Sequence, residues 1–343
     1  MGKKVLHTRL GMIILAAGKG KRMESNLTKV LHRVAGLPML SYVLGAARKL
    51  KPAKLVVVIG HQEEQVREAF SKWEGITWVH QEEMRGTGDA VRCAAKTFLG
   101  FDGSILVLYG DIPGIRVETL RRFLMVHEAS KNTITLLTTE LEDPTGYGRI
   151  VAHPDGSVAK IVEDKDASEE EKEITEVNTG IGLYDPKFLF EGVKLLKPTN
   201  LQKEFYLTDL VAMARKDGRS VGRFRLKNAS ETLGINSRED LAEVSRFFED
   251  EKISELLKSG VTFEDPMTTS IEPVVEIGRD TVIGRQVVIQ GEAKIGENVV
   301  VETGCKVIES DVGASSVLGR NTVILKSKIG KNCSIGANTT LGK

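Results

Sequence analysis

Short apolar runs alternate with amphipathic stretches through the first two-thirds of the chain. Residues 12–17, 54–59, 104–109 and 133–139 are dense in Val, Ile and Leu and read as strands. Residues 38–50, 62–71, 88–98 and 116–130 repeat apolar positions at helical spacing and read as the helices between them. Strands that are apolar on both sides are expected where both faces of a sheet are covered. Residues 12 to 238 therefore predict an α/β domain with a mostly parallel sheet, whose ligands would sit beyond the carboxyl ends of its strands.

The period then changes twice. From Ser237, the spacing of Leu241, Val244, Phe247, Phe248, Ile253, Leu256 and Leu257 is that of one helix, with Ser237 as its cap, Asp240 in its first turn and Gly260 as its stop. From Ile277, aliphatics recur at Ile283, Ile289, Ile295, Val301, Val307, Val312, Leu318, Ile324, Ile329, Ile335 and Leu341. Nine of these eleven intervals are six residues and two are five, a regularity that marks a parallel β-helix. The aliphatic is expected to stack inside a triangular prism, and the Gly that often follows it to accommodate the tight corner. With three hexads to a coil, about four coils result. The expected division is residues 1–238 as one domain, 239–260 as a linking helix and 261–343 as the β-helix.

Composition narrows the possible partners. The 343 residues are 41% hydrophobic and 28% charged, with a formal net charge of +1, so no global field draws the chain to nucleic acid or an anionic membrane. No apolar run approaches the roughly 20 residues of a membrane span. The run at 12–17 is too short for the roughly 7–15 residues of a signal-peptide core, and is expected to be a strand behind a short extension. Cys93, Cys305 and Cys333 form no CxxC pair, which points to a cytoplasmic protein. The six histidines are scattered and accompany neither GxSxG nor HExxH.

Candidate chemistry begins where the first strand ends, at Leu15-Ala16-Ala17-Gly18-Lys19-Gly20-Lys21-Arg22-Met23. Small residues and two glycines let backbone N–H groups approach an anion, although an ordinary strand-to-helix turn fits the pattern equally well. The loop is neither a Walker A sequence nor a complete dinucleotide fingerprint. Arg22 and Lys29 are two cations able to flank it. Asp111, at the end of another strand, offers a hard oxygen for a metal ion, or alternatively a helix cap before Ile112-Pro113.

The segment LAAGKGKRM followed by Thr28-Lys29-Val30-Leu31 resembles the signature of the sugar nucleotidyltransferases. Lys21 stands where that family has Thr or Ser, and Thr28 where it has Pro. Further matches follow in order: Gln81 with Gly86-Thr87-Gly88, Tyr109-Gly110-Asp111, Asp143 to Ile150, Ile161-Val162-Glu163, Val177-Asn178-Thr179-Gly180 and Gly234-Ile235-Asn236. Together with the hexapeptide repeat, this series resembles the bacterial N-acetylglucosamine-1-phosphate uridyltransferases of the bifunctional type, from Met12 to the end of the chain.

The resemblance implies a Rossmann-like, mostly parallel nucleotidyltransferase domain followed by a left-handed parallel β-helix of hexapeptide repeats. It implies transfer of UMP from UTP to N-acetylglucosamine-1-phosphate, with Mg2+ held by Asp111 and Asn236. Arg22 and Lys29 would stabilise charge on the phosphates. Leu15, Ala16, Ala17, Gly18, Gln81, Gly86, Thr87, Tyr109 and Gly110 would bind the nucleotide, with the Gln81 amide offering donor and acceptor to uracil. Gly148, Glu163, Asn178, Tyr206 and Thr208 would bind the sugar; Phe205 replaces a tyrosine of the family's E-Y-Y-[IL]-T-D segment. A homotrimer through the β-helix is implied. Acetyl transfer is not expected, since the family uses a histidine base for it and no histidine follows His153. The rival readings are the same chemistry on another sugar phosphate, a β-helix acyltransferase, or a non-catalytic regulatory subunit.

Overall fold

The computed structural model describes residues 9–60, 62–153 and 157–342; the extension expected before the first strand and the final Lys343 lie outside them. The chain forms two compact units. One holds the chain up to His32 and again Pro38–Arg238, and the other holds Arg33–Leu37 with the chain from Glu239 onward.

The first unit is built on strands β1 (Leu10–Ala16), β2 (Lys54–Ile59), β3 (Thr77–His80), β4 (Ser104–Tyr109), β5 (Ile134–Glu140), β6 (Gly148–Ala152), β7 (Val158–Val162), β8 (Glu176–Tyr184) and β9 (Val221–Leu226). Their order is β9-β5-β8-β4-β1-β2-β3, with the β6–β7 hairpin leaving the sheet from β8. In the seven-stranded path, only β8 runs antiparallel to its neighbours. All seven residues of β1 are buried, because β2 and β4 flank it and both of its faces are covered. On one face, Ile13 and Leu15 pack in a core with Val91 and Ala94 of helix Thr87–Ala94 and with Leu189 and Val193 of helix Pro186–Leu195. The chain extends the sheet to one side of β1 through β2 and β3, and to the other through β4. The carboxyl end of β1 is therefore a topological switch point, where a crevice opens between diverging connections.

In the second unit, strands of two or three residues pair in parallel into three sheets of five, five and four strands. Ile283 registers with Val301, Val301 with Leu318 and Leu318 with Ile335, so the same aliphatic position stacks from coil to coil. Ile283, Ile289, Val307, Leu318 and Ile324 are fully buried in that core, which Ile253 and Leu256 of helix Arg238–Lys258 join. The β-helix begins before Ile277: Thr262–Phe263 and Ser270–Ile271 already pair with the next coil. A turn at Pro266–Thr268 lengthens the interval between them and hides the period in the sequence.

Several of the glycines that follow an aliphatic have a different purpose from the one expected. Left-handed φ values fall further on, at Asp280, Gln286, Asn298, Ser315, Asn321, Asn332 and Asn338, each three residues past its aliphatic. Gly278, Gly284, Gly296, Gly313 and Gly319 instead leave room for the next coil: a Cβ on Gly296 would lie 2.5 Å from the Ala314 amide nitrogen. At the two five-residue intervals, the left-handed residue comes one position earlier, at Glu309 and Lys326. This shortens the corner without disturbing the stack.

Candidate active site

Leu15 on β1 registers with Val58 on β2 and Tyr109 on β4, so three strand ends lie side by side at the switch point. Past β1 the chain does not enter an α-helix. Gly20, at φ 56°, turns it into short 3-10 turns at Lys21–Met23 and Lys29–Leu31. The strand-to-helix reading of this loop is therefore set aside, and an anion there would meet loop amides and side chains rather than a helix dipole. A Cβ on Gly20 would come within 2.7 Å of the Lys29 Cβ, so glycine is what lets the lysine stem pass. A Cβ on Gly18 would meet nothing within 4 Å, which leaves that backbone open to a ligand.

Thr28 sets the direction of Lys29. Its φ of −54° lies in the range that a proline ring enforces. Here the restraint comes from hydrogen bonds, since its N–H and hydroxyl both donate to Oε1 of Gln65, at 3.3 and 3.2 Å. Lys29 is buried, and its Nζ donates to Oδ2 of Asp111 at 2.5 Å and to Oδ1 of Asn236 at 2.8 Å. Backbone bonds fix both partners: Gly110 N–H donates to the Leu15 carbonyl and Ile235 N–H to the Asp111 carbonyl, each at 2.9 Å. Asp111 caps no helix, because the next one starts at Val117 behind Arg116. A carboxylate and an amide oxygen that already share one cation are a donor set that fits Mg2+, which usually completes its shell with waters and substrate phosphates.

A cavity of about 640 Å³ opens beside this cluster, lined among others by Leu15, Ala17, Gly18, Gln81, Gly86, Thr87, Tyr109 and Asp111. The Gln81 side chain is buried, and its Nε2 donates to Oδ2 of Asp89 at 2.9 Å and to the Gly86 carbonyl at 3.3 Å. The donor end of the amide is thus committed within the protein, and the acceptor end is what remains for a ligand. Gly86, at φ 107°, is pressed against Phe205: a Cβ there would lie 2.7 Å from the Phe205 carbonyl oxygen. Gly88 N–H donates to that carbonyl at 2.8 Å, and Leu207 N–H donates to Oγ1 of Thr87 at 3.0 Å. The Phe205 ring, lacking the family's hydroxyl, lies under the Arg92 guanidinium, 4.5 Å from ring centroid to Cζ.

A second cluster continues from Tyr109. Its ring packs against Gly180 of β8, where a Cβ would come within 2.6 Å. Burial, reinforced by Tyr184, Glu163 and Asp111, pushes the Tyr109 phenol well up, so it stays protonated. Asn178 registers across from Gly148, and Gly148 lies against Glu163, with 3.3 Å from a would-be Cβ to Oε2. Glu163 accepts from Oγ1 of Thr208 at 2.8 Å. Burial raises its carboxyl, against the pull of that hydrogen bond, and Asp209, Asp166 and Asp164 add to the rise. Oδ1 of Asn178 is buried and has no hydrogen-bond partner among the described residues. A buried acceptor left open in this way is one that a ligand donor satisfies.

The structure thus joins Asn178, Gly148, Glu163 and Thr208, with Tyr206 two residues before Thr208 and bonded to Gln202. Ala16 and Gly110 are not among the residues that line the cavity, and Arg22 is exposed. Sequence reasoning missed Asp89, Gln65 and Lys165, the last of which lines the cavity. Of these, only Asp89 had a visible signal: an acid at the end of Gly86-Thr87-Gly88.

A family model described as MobA-like NTP transferase domain matches residues 12–182. Among curated relatives, the protein called Bifunctional protein GlmU from Geotalea daltonii is 43% identical over 87% of this chain and 66% of its own length. Those of the same description from Geobacter sulfurreducens and Streptococcus equi subsp. zooepidemicus are 44% and 42% identical, over 88% and 91% of this chain and 64% and 67% of theirs. The chain thus spans about two-thirds of the length of these relatives. A solved structure from Bacillus anthracis, described as a glucose-1-phosphate thymidylyltransferase with sucrose bound, aligns with a TM-score of 0.57 at 21% identity. It covers 69% of this chain and 94% of that one, a likeness of fold. Among the described residues, no helix is long and apolar enough to cross a membrane.

Proposed function

This chain belongs to the family of the bacterial GlmU proteins, and on that premise we propose that it transfers UMP from UTP to N-acetylglucosamine-1-phosphate, releasing pyrophosphate. The observation that carries the reading is the convergence of Lys29, Asp111 and Asn236 beside the open Gly18 loop. A sugar phosphate oxygen is already ionised and needs no general base. The barrier is repulsion between anions, and positioned positive charge lowers it.

Lys29 supplies such a charge at the α-phosphate, and the exposed Arg22 supplies another to the departing pyrophosphate. Backbone groups of Leu15 to Gly18 bind the nucleotide phosphates, and Gln81 with Gly86 and Thr87 holds the base, with Tyr109-Gly110 behind. Gly148, Glu163, Asn178, Tyr206 and Thr208 hold the sugar, the open Asn178 oxygen accepting a donor from it. Mg2+, held by Asp111 and Asn236, would neutralise charge on the phosphates.

The same reading takes residues 1–238 as the catalytic domain, 239–260 as a linker and 261–343 as a stem for a cytoplasmic homotrimer; light scattering tests the assembly. Phosphorus NMR tests the reaction: with Mg2+, the α-phosphorus of UTP should appear in a sugar-linked diphosphate with an equal amount of pyrophosphate. Hydrolysis to UMP, or no reaction, would refute it.

A further inference from the structure

The geometry points to Asp89 as the residue that selects the base: it fixes the Gln81 amide so that the cavity presents a hydrogen-bond acceptor to the nucleotide ring. This inference rests on the reading that the cavity binds the nucleotide.

An amide offers two donors at one end and an acceptor at the other, and which end faces a ligand is decided by its other partners. Around Gln81 both partners accept. The Gly86 carbonyl has no proton, and Asp89, buried at 5% exposure, presents a carboxylate oxygen at 2.9 Å. Only Nε2 can serve them, so Oε1 is turned away from both. Asp89 is itself restrained. Its Oδ1 lies 3.8 Å from Arg85 and 3.7 Å from Arg92, and Arg92 is pinned by a bond from its Nε to the Val193 carbonyl at 3.2 Å. Held in this place, a carboxylate oxygen has nothing to donate to Oε1, which denies Gln81 the reversed orientation.

An acceptor in this place pairs with the ring N3–H of uracil. Against cytosine it meets the lone pair of N3, and neither group can donate. A polar site that cannot be satisfied discriminates far more strongly than one that merely fits loosely. Asp89 thus acts through Gln81 as a positioning residue, and its removal is read in base choice rather than in overall rate.

The test compares kcat/KM for UTP and CTP, with one sugar phosphate, in the wild type, in Asp89→Asn and in Asp89→Ala. Asparagine can donate to Oε1 and let the amide reverse, so the UTP-to-CTP ratio should fall by at least about tenfold. An equal loss with both nucleotides would overturn the inference, leaving Asp89 a merely structural residue. If the wild type prefers a thymine or guanine nucleotide, whose ring carries the same N–H, the uridylyl reading fails, and that nucleotide replaces UTP in the ratio. A wild-type preference for CTP would overturn the inference outright. Should both variants unfold by circular dichroism, the wild type still decides: N3-methyl-UTP should be a poor substrate, and its use at the rate of UTP would contradict an acceptor at that position.

Discussion

The ammonium of Lys29 lies 2.5 Å from Oδ2 of Asp111, and the same nitrogen reaches the side-chain oxygen of Asn236 at 2.8 Å. One cation therefore faces the only two side chains assigned to the metal, and a divalent ion that takes both oxygens must displace it.

This competition makes Lys29→Ala informative in two directions. Mg2+ should bind the variant more tightly than the wild type in the absence of nucleotide, as read by calorimetric titration. Turnover should fall on the order of 100- to 1000-fold, the usual cost of removing a preorganised charge from a phosphoryl site. Weaker Mg2+ binding in the variant would count against a shared site.

Asp111→Asn should keep the fold and raise the Mg2+ concentration needed for half-maximal activity, because a charged ligand becomes neutral. Activity at limiting Mg2+ should drop at least about tenfold. The Mg2+ dependence of pyrophosphate release checks this, and an unchanged curve would remove Asp111 from the metal site.

Glu163 predicts a pH effect on stability. Its carboxyl is raised above the ordinary 4.5, chiefly by burial. A raised carboxyl favours the protonated folded form, so its contribution is fully present below the ordinary value and lost as pH rises through the raised one. Gln is neutral throughout. Melting temperatures should therefore shift in favour of Glu163→Gln, relative to wild type, as pH rises above the ordinary 4.5. A difference that is flat with pH would contradict the buried carboxyl.

The β-helix glycines make a contrasting pair. Gly296→Ala forces a Cβ to 2.5 Å from the Ala314 nitrogen and should cost about 1–3 kcal/mol. Gly330→Ala meets nothing nearer than Cys333 Sγ, at 3.5 Å, and should melt like the wild type in this 343-residue chain. Denaturant unfolding of the two variants measures the difference.

These contrasts also show what the sequence could reveal. The aliphatic stack from Ile283 to Ile335 was legible because the repeat itself carries the packing. Which residue takes the left-handed corner was not: Gln286 takes it, at φ 56°, whereas Gly284, the residue freer to do so, is instead needed for the close approach of the neighbouring coil. In the site, Lys29 and Asp111 could each be named from their motifs. Their contact spans 82 positions, and that to Asn236 spans 207, so it depends on the sheet order. The Gln81 amide was expected to offer donor and acceptor. Its donors are taken by Asp89 and Gly86, partners brought together by the bend at Gly86, which no local pattern announces.

The most direct test of the central claim is the rate of pyrophosphate release by purified protein with Mg2+, across UTP, dTTP, GTP and CTP, each paired with the 1-phosphates of N-acetylglucosamine, glucose and mannose. UTP with N-acetylglucosamine-1-phosphate should give the highest kcat/KM of all the pairs. A higher value for any other pair would contradict the assignment of substrate, and no release with any pair would contradict the assignment of the reaction.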